Sequence, residues 1–275
     1  PSSNDCPDTR ASDSHLVALP RRLPGSAIIW PIDFSDTGKL MNYRRLGGSG
    51  LKLSELSFGS WVTFNKQVDK KLAERMFGTC FDAGINFFDN AEGYEAGQSE
   101  VVMGKALKSL GRPRDSYCVS SKVFFGAARP PAPTQMGLSR KHVTEACHQA
   151  LRRLQVDYLD LYFCHRADPD TPIGETVWAM HNLVTQGKVL YWGTSEWTAA
   201  EIAEAYEFAH ANHLTPPSME QPQYNLLDRQ RFVAPIEDWF REDIKPWFPH
   251  QKRTRRGTIP TLKRLTVSRL PLPIP

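Results

Sequence analysis

Apolar and polar residues alternate along residues 41–60, around the segment Gly47-Gly48-Ser49-Gly50. This alternation predicts a β-hairpin followed by a strand. From residue 72 onward, apolar residues recur every three to four positions in some segments, which is the spacing of a helix face. Between these segments lie short apolar runs, which are typical of buried strands. The chain therefore predicts strands and helices in alternation.

The predicted helices are marked by the faces Leu72, Met76, Phe77 and Cys80; residues 99–110; Val143, Ala146, Cys147, Ala150, Leu151 and Leu154; Val177, Met180 and Val184; Ile202, Ala205, Tyr206 and Ala209; and residues 229–241. The predicted strands after the first cover residues 85–88, 117–121, 158–164, 189–194 and 219–221. Six strand–helix units in sequence indicate parallel strands with helical crossovers. The spacing favours a TIM (β/α)₈-type barrel over a doubly wound sheet, because no GxGxxG turn follows the first strand.

The two ends of the chain lack this alternation. Residues 1–40 are rich in Pro, Ser and Asp without a sustained period, which predicts a disordered or irregular extension. Residues 244–275 contain six prolines and also lack a period. A βαβ unit takes about 30 residues or more, so two further units do not fit. We expect a barrel domain over residues 41–243, truncated to about six units, followed by an irregular basic tail.

Composition narrows the class of protein. The chain is 40% hydrophobic and 23% charged, as soluble globular proteins are. Five cysteines without a CxxC pair disfavour a disulfide framework and a metal site, and favour a cytoplasmic location. No apolar run approaches the roughly 20 residues of a membrane helix, and the residues after Pro1 do not have the pattern of a signal peptide. We therefore expect no membrane insertion.

The net charge of +4 comes from the tail. Residues 244–275 hold eight basic and no acidic side chains, whereas the rest holds 26 basic and 30 acidic ones. Such a tail attracts phosphates, and nucleic-acid binding through residues 252–256 is one hypothesis. The tail lacks interleaved aromatic residues and a recognised binding fold, so we expect no nucleic-acid partner.

Polar side chains stand where three of the predicted strands end. Asp89 ends the second strand, Tyr94 follows five residues later, Lys122 ends the third strand and His165 the fourth. Taken singly, each has an ordinary explanation as a packing, solvated, capping or core residue. In a parallel barrel, however, the carboxyl ends of the strands form the face where active sites assemble. Four such residues on one face favour a catalytic site.

Together these four side chains can protonate an oxyanion. A phenol has an ordinary pKa of about 10 and is a poor proton donor near neutral pH. An ammonium group such as that of Lys122 stabilises the phenolate, and Asp89 can keep that lysine charged and in place. His165 can hydrogen-bond a carbonyl oxygen from the opposite side while another group delivers hydride.

In order and setting, these residues resemble the Asp-Tyr-Lys-His tetrad of the aldo-keto reductases. The segments FFDNAEGYEAGQSEVVMGKAL, VDYLDLYFCHRADPDTPIGETV and GKVLYWGTSEWT resemble the branch that contains the potassium-channel β subunits and their reductase relatives. The resemblance covers about residues 41–240. It implies an NADPH-dependent oxidoreductase that reduces the carbonyl of an aldehyde or ketone to an alcohol. Tyr94 would then donate the proton, Lys122 would make the tyrosine hydroxyl a better proton donor, and His165 would orient the carbonyl.

The resemblance also implies where NADPH is bound. A hydroxyl and an amide side chain suit the nicotinamide carboxamide, which both donates and accepts hydrogen bonds. Without the resemblance, the serine and glutamine concerned would be ordinary turn or strand-end residues. The implied cofactor contacts are Ser60, Trp61, Gln67, Asp89, Ser195, Glu196 and Gln221.

The C-terminal part departs from the family pattern. After the sixth strand, a full-length member continues into a GLG…SPL segment and later a basic segment for the 2′-phosphate and adenine. Neither is present in this sequence. We therefore expect carbonyl reduction and NADPH binding to be weak or lost.

A second hypothesis is a non-catalytic regulatory subunit like the channel β subunits. Those subunits carry Asn at the position of His165, so this histidine favours an enzyme. The expected partner is a small carbonyl compound, and the sequence leaves assembly into a homo-oligomer open.

Overall fold

The structure is a computed structural model that describes residues 41–61, 68 and 70–223. The predicted extension over residues 1–40, the candidate cofactor contact Gln67, the predicted helix 229–241 and the basic tail 244–275 lie outside the described residues.

The described part begins with the predicted hairpin. Strand β1 (Tyr43–Arg45) pairs antiparallel with β2 (Lys52–Ser54). The intervening turn contains Gly47 at φ +54°, where an added Cβ would lie 2.9 Å from the carbonyl oxygen of Ser218. The turn therefore requires glycine both for its left-handed backbone and for its close approach to a distant loop.

A parallel sheet follows the hairpin. Its strands lie side by side in chain order and are β3 (Phe58–Gly59), β4 (Phe87–Asp89), β5 (Cys118–Val123), β6 (Leu159–Cys164) and β7 (Val189–Thr194). All residues of β5 and β6 are buried, as in strands covered on both faces. This confirms the predicted parallel α/β architecture, whereas closure into a barrel stays a prediction.

A helix follows each of these strands. The helices are α1 (Lys70–Asp82), α2 (Gln98–Leu110), α3 (Arg140–Leu154), α4 (Ile173–Thr185) and α5 (Ala199–Ala211), and each packs against the next. The start of α5 is fixed by a capping box, in which Thr198 and Glu201 hydrogen-bond each other's backbone N–H. Within the described ranges, no helix has the length and apolar character needed to cross a membrane.

Both faces of the sheet are covered by apolar side chains. The larger cluster lies between the strands and the helices, and contains Phe77, Phe88, Val119, Tyr162 and Trp192. A second cluster on the opposite face joins strand residues to Leu46 and Leu53 of the hairpin region. Polar side chains at the carboxyl ends of the strands are therefore held on a rigid scaffold.

The structure differs from the predicted elements by more than one residue in three strands. The strand predicted at residues 85–88 is observed at Phe87–Asp89. The third strand of the sheet continues to Val123 instead of ending at residue 121, so Lys122 lies within β5 rather than after it. The strand predicted at residues 219–221 is a single parallel bridge between Glu220 and Thr194. Because buried Asp89 pairs with Lys122, β5 can continue through this charged residue.

Candidate active site

A buried ion pair joins the second and third strands of the sheet. Lys122 Nζ lies 2.7 Å from both carboxylate oxygens of Asp89 and donates to the carbonyl oxygen of Asn90 at 2.8 Å. The hydroxyl of Ser120 also donates to Asp89, at 2.7 Å. Asp89 is 4% exposed and Lys122 1%. Charges removed from water to this extent need such partners, so the pair holds both side chains in one arrangement.

Tyr94 comes next to this ion pair through the turn that follows β4. Its hydroxyl oxygen lies 3.4 Å from Lys122 Nζ. Three left-handed residues follow it, namely Glu95 at φ 47°, Ala96 at φ 52° and Gly97 at φ 82°. Left-handed backbone at non-glycine residues is unfavourable and concentrates at functional sites. This turn fixes the tyrosine before α2 begins.

His165 directly follows β6 and packs against Tyr94. The two ring centroids are 5.8 Å apart in an edge-to-face arrangement, and each residue is 7% exposed. Trp61 also lies beside Tyr94, at 6.3 Å between centroids, and Phe125 packs on His165 at 5.1 Å. The tryptophan and phenylalanine are exposed, so the tyrosine and histidine lie at the base of an aromatic rim.

The residues predicted to contact the nicotinamide carboxamide come together after β7. The hydroxyl of buried Ser195 donates to the carbonyl oxygen of Gln221 at 3.0 Å, and the Gln221 N–H donates to Thr194 at 2.8 Å. Glu196 has left-handed backbone at φ 63°. The Ser195 N–H donates to the carbonyl oxygen of Cys164, so this group lies beside the residue that precedes His165.

The predicted cofactor contacts that follow β3 differ in burial, since Ser60 is buried and Trp61 is exposed. Ser60 is buried, and its N–H and hydroxyl both donate to the carbonyl oxygen of Asp89, at 3.1 and 3.0 Å. It therefore fixes the backbone that carries the ion pair. Trp61 is exposed beside Tyr94, as a contact residue for a bound molecule would be. Gln67 lies outside the described residues.

Sequence reasoning missed Glu220, which precedes Gln221. This carboxylate is buried and accepts the hydroxyl of Thr194 at 2.5 Å and the N–H of Trp197 at 3.3 Å. Burial raises the pKa of Glu220 from 4.5 to about 7, although these hydrogen bonds oppose the change. A single acidic residue inside a predicted strand was the signal that could have found it.

Sequence reasoning also missed two buried residues, one of which lies in the turn before Tyr94. Glu92, inside the quoted FFDNAEGYE motif, and His142 on α3 contact each other through Oε2 and Nε2 at 3.3 Å. Because 50 positions separate them, no local pattern shows their contact.

The arrangement suits proton transfer to an oxygen atom. The phenol hydroxyl lies beside an ammonium group that can stabilise developing negative charge, and the buried carboxylate holds that ammonium in place. The neighbouring imidazole can hydrogen-bond the same oxygen. The residues of the site come from β4, its following turn, β5 and the end of β6, which is the strand-end face where barrel enzymes place their chemistry.

The sequence matches the family model of the Aldo/keto reductase family over residues 55–242. The chain belongs to the aldo/keto reductase family. The expected family is thereby confirmed, and the chain is similar to plant proteins of the expected branch. It is 44% identical over 212 residues to a rice (Oryza sativa subsp. japonica) protein named "Probable voltage-gated potassium channel subunit beta". It is 48% identical over 191 residues to an Arabidopsis thaliana protein of the same name.

The matched regions cover 76% and 70% of this chain. They cover 64% of the rice protein and 57% of the Arabidopsis protein, so the chain spans about three fifths of the length of these relatives.

Proposed function

We propose that this protein reduces the carbonyl group of an aldehyde or ketone to an alcohol, with NADPH as hydride donor. The observation that carries the proposal is the position of Lys122 Nζ, 2.7 Å from Asp89 and 3.4 Å from Tyr94 Oη. His165, with its ring beside that of Tyr94, completes the set.

Each of the four side chains has its own role in this proposal. Tyr94 donates the proton to the carbonyl oxygen as negative charge develops there. Lys122 stabilises the phenolate that remains, and the buried carboxylate of Asp89 holds the lysine beside the tyrosine. His165 donates a hydrogen bond to the carbonyl oxygen and so orients it towards the tyrosine hydroxyl.

The residues after β7 fit the carboxamide end of a nicotinamide. Ser195 and Gln221 are buried side by side and together offer a hydroxyl and an amide, the groups that a carboxamide pairs with. Trp61 offers an exposed aromatic face next to Tyr94. Bound NADPH would supply the hydride. Ser195, Glu196 and Gln221 would hold its carboxamide, and Ser60 and Trp61 would be further contacts at the nicotinamide end.

The test is carbonyl reduction by Tyr94→Phe. The assay uses enzyme in excess over an aldehyde, because single-turnover conditions detect even the weak reduction that the sequence leads us to expect. Removing the proton donor should slow reduction by about 10²–10⁴-fold without weakening NADPH binding. Tyr206→Phe, which removes a hydroxyl from α5, is the matched control. Reduction by Tyr94→Phe at the wild-type rate would refute the role.

A second function, regulation of a potassium channel, is favoured by the names of both plant relatives. We propose it as the alternative in which the protein binds a voltage-gated potassium channel. Co-purification with such a channel tests it, and Tyr94→Phe should bind the channel as the wild type does. Failure of the purified proteins to associate would refute this alternative and leave the reductase proposal in place.

A further inference from the structure

The first observation concerns Glu92, which lies in the turn between Asp89 and Tyr94. Its side chain is 3% exposed, and its N–H donates to the carbonyl oxygen of Lys122 at 3.1 Å. Its Oε1 accepts two backbone N–H groups, from Phe124 at 2.8 Å and from Gly126 at 3.0 Å. One carboxylate oxygen thus joins the turn that carries the tyrosine to the loop that follows β5.

His142 on α3 binds the other carboxylate oxygen. Its Nδ1 lies 2.8 Å from the carbonyl oxygen of Gly137, and its Nε2 lies 3.3 Å from Glu92 Oε2. A carbonyl oxygen only accepts, so Nδ1 carries a proton, and Nε2 needs one too in order to donate to a carboxylate. Burial disfavours the charged ring, but the hydrogen bonds to Glu92 and Gly137 outweigh burial and raise the pKa of His142.

The two residues therefore fasten both ends of the loop 124–137. The Gly137 N–H also donates to the carbonyl oxygen of Phe124 at 2.8 Å, which closes the loop on itself. Phe125 lies between the two N–H groups that Glu92 binds, and its ring packs on His165 at 5.1 Å. The loop thus transmits the position of Glu92 to the histidine of the candidate site.

We propose that Glu92 and His142, here called the Glu92–His142 clamp, are positioning residues for the tetrad. The clamp fixes the turn that carries Tyr94 on one side and, through Phe125, the ring of His165 on the other. It thereby sets the distance between the proton donor and the group that orients the carbonyl. This role in catalysis rests on the proposed reductase function.

The chain offers a matched pair that lacks this connection. Asp160 is 5% exposed, accepts the N–H of Val119 at 2.8 Å and pairs with Arg114 at 2.5 Å. It is a buried carboxylate with a backbone donor and a cation, like Glu92. Asp160, however, lies near the beginning of β6, whereas His165 follows the end of that strand. Asp160→Ala therefore removes a buried carboxylate without changing a contact of the loop 124–137.

The experiment compares Glu92→Ala, Glu92→Gln, His142→Asn and Asp160→Ala in the full chain. Amide hydrogen exchange of residues 124–137 measures the loop directly. In Glu92→Ala, exchange should be faster by about tenfold or more, because the N–H groups of Phe124 and Gly126 lose their acceptor. In Glu92→Gln, the amide oxygen still accepts these groups and the amide N–H can donate to neutral His142, so exchange should stay within about threefold. His142→Asn keeps a donor for the carbonyl oxygen of Gly137 but loses the contact with Glu92. Its exchange rate should lie between those of Glu92→Ala and Glu92→Gln.

The kinetic readout separates positioning from simple stability. The single-turnover rate of carbonyl reduction should fall in Glu92→Ala by about tenfold while the dissociation constant of NADPH changes less than about threefold. Glu92→Gln should recover most of the rate, and Asp160→Ala should leave both the rate and the loop exchange near wild type.

Each outcome decides a different point. Unchanged loop exchange in Glu92→Ala and His142→Asn overturns the clamp. Faster exchange with an unchanged rate of reduction overturns the positioning role. A wild-type chain that reduces no carbonyl refutes the proposed function, and the exchange data still decide whether the clamp holds the loop. If Glu92→Ala does not fold, His142→Asn, which keeps the carboxylate and its two backbone donors, decides the same points.

Discussion

Lys122 donates to both carboxylate oxygens of Asp89 at 2.7 Å, although the two residues are 33 positions apart in the chain. They meet because β4 and β5 are neighbours in the parallel sheet. The pair is buried at the carboxyl ends of these strands, and it has Tyr94 within 3.4 Å of the ammonium nitrogen. Stability and the proposed chemistry therefore depend on the same two charges.

We expect Lys122→Met to lower the free energy of unfolding by about 3–5 kcal/mol, because it leaves a buried carboxylate without its partner. Asp89→Asn should also be destabilising, whereas the double variant, which buries no net charge, should be less destabilised than the sum of the two. Urea denaturation of the wild type and the three variants gives this coupling as a double-mutant cycle. Strictly additive losses would contradict an energetic pairing of the two residues.

A second prediction concerns His165. Changing His165→Ala removes the proposed hydrogen bond to the carbonyl oxygen, and we expect kcat/KM for an aldehyde to fall by about 10²–10³-fold. NADPH affinity should stay near that of the wild type, since the predicted carboxamide contacts follow β7. Steady-state kinetics and fluorescence titration check the two quantities separately. Equal loss of both would indicate a structural role for the histidine.

The sequence predicts the scaffold of this protein because the scaffold follows local periods. The strand predicted at residues 189–194 has the bounds of β7, and α2 begins one residue before its predicted start. The third strand was predicted too short, since a charged residue at position 122 normally ends a buried strand. Its partner Asp89 comes from another strand, and a local pattern cannot include that partner.

The candidate site is predictable to a different extent. Asp89, Tyr94 and His165 lie at or after strand ends, so the topology of a parallel sheet brings them to one face. Glu92 and Glu220 also lie on this face, but their importance depends on burial and on partners distant in sequence. Such buried carboxylates can be recognised only when the positions of the backbone N–H groups and hydroxyls that donate to them are known.

A third prediction tests the packing behind the site with two helix glycines. A Cβ added at Gly104 on α2 would lie 2.5 Å from the carbonyl oxygen of Leu154, whereas one added at Gly78 on α1 meets nothing within 4 Å. Gly104→Ala should lower the free energy of unfolding by about 1–3 kcal/mol through overpacking. Gly78→Ala should raise it by about 0.5–1 kcal/mol, the ordinary gain of alanine in a helix. Thermal and urea denaturation measure both, and equal effects would contradict close packing of α2 on α3.

A fourth prediction follows from the buried carboxyl of Glu220, whose pKa is raised from 4.5 to about 7. Between these two pH values the folded protein keeps this proton while the unfolded chain has already lost it. Unfolding then releases a proton, so rising pH favours the unfolded state. The free energy of unfolding should therefore fall as the pH rises through this window, with a contribution from Glu220 of about 3 kcal/mol.

Glu220→Gln isolates this contribution, because an amide keeps the shape and the acceptor for Thr194 but does not ionise. We expect the variant to become more stable relative to the wild type as the pH rises from 4.5 to about 7, and the difference to level off above it. Glu204→Gln, the same change on the exposed side of α5, controls for the loss of one negative charge. Urea denaturation at successive pH values measures the difference directly. Wild-type and Glu220→Gln curves that run parallel across the window would show that Glu220 ionises at the same pH in the folded and unfolded states.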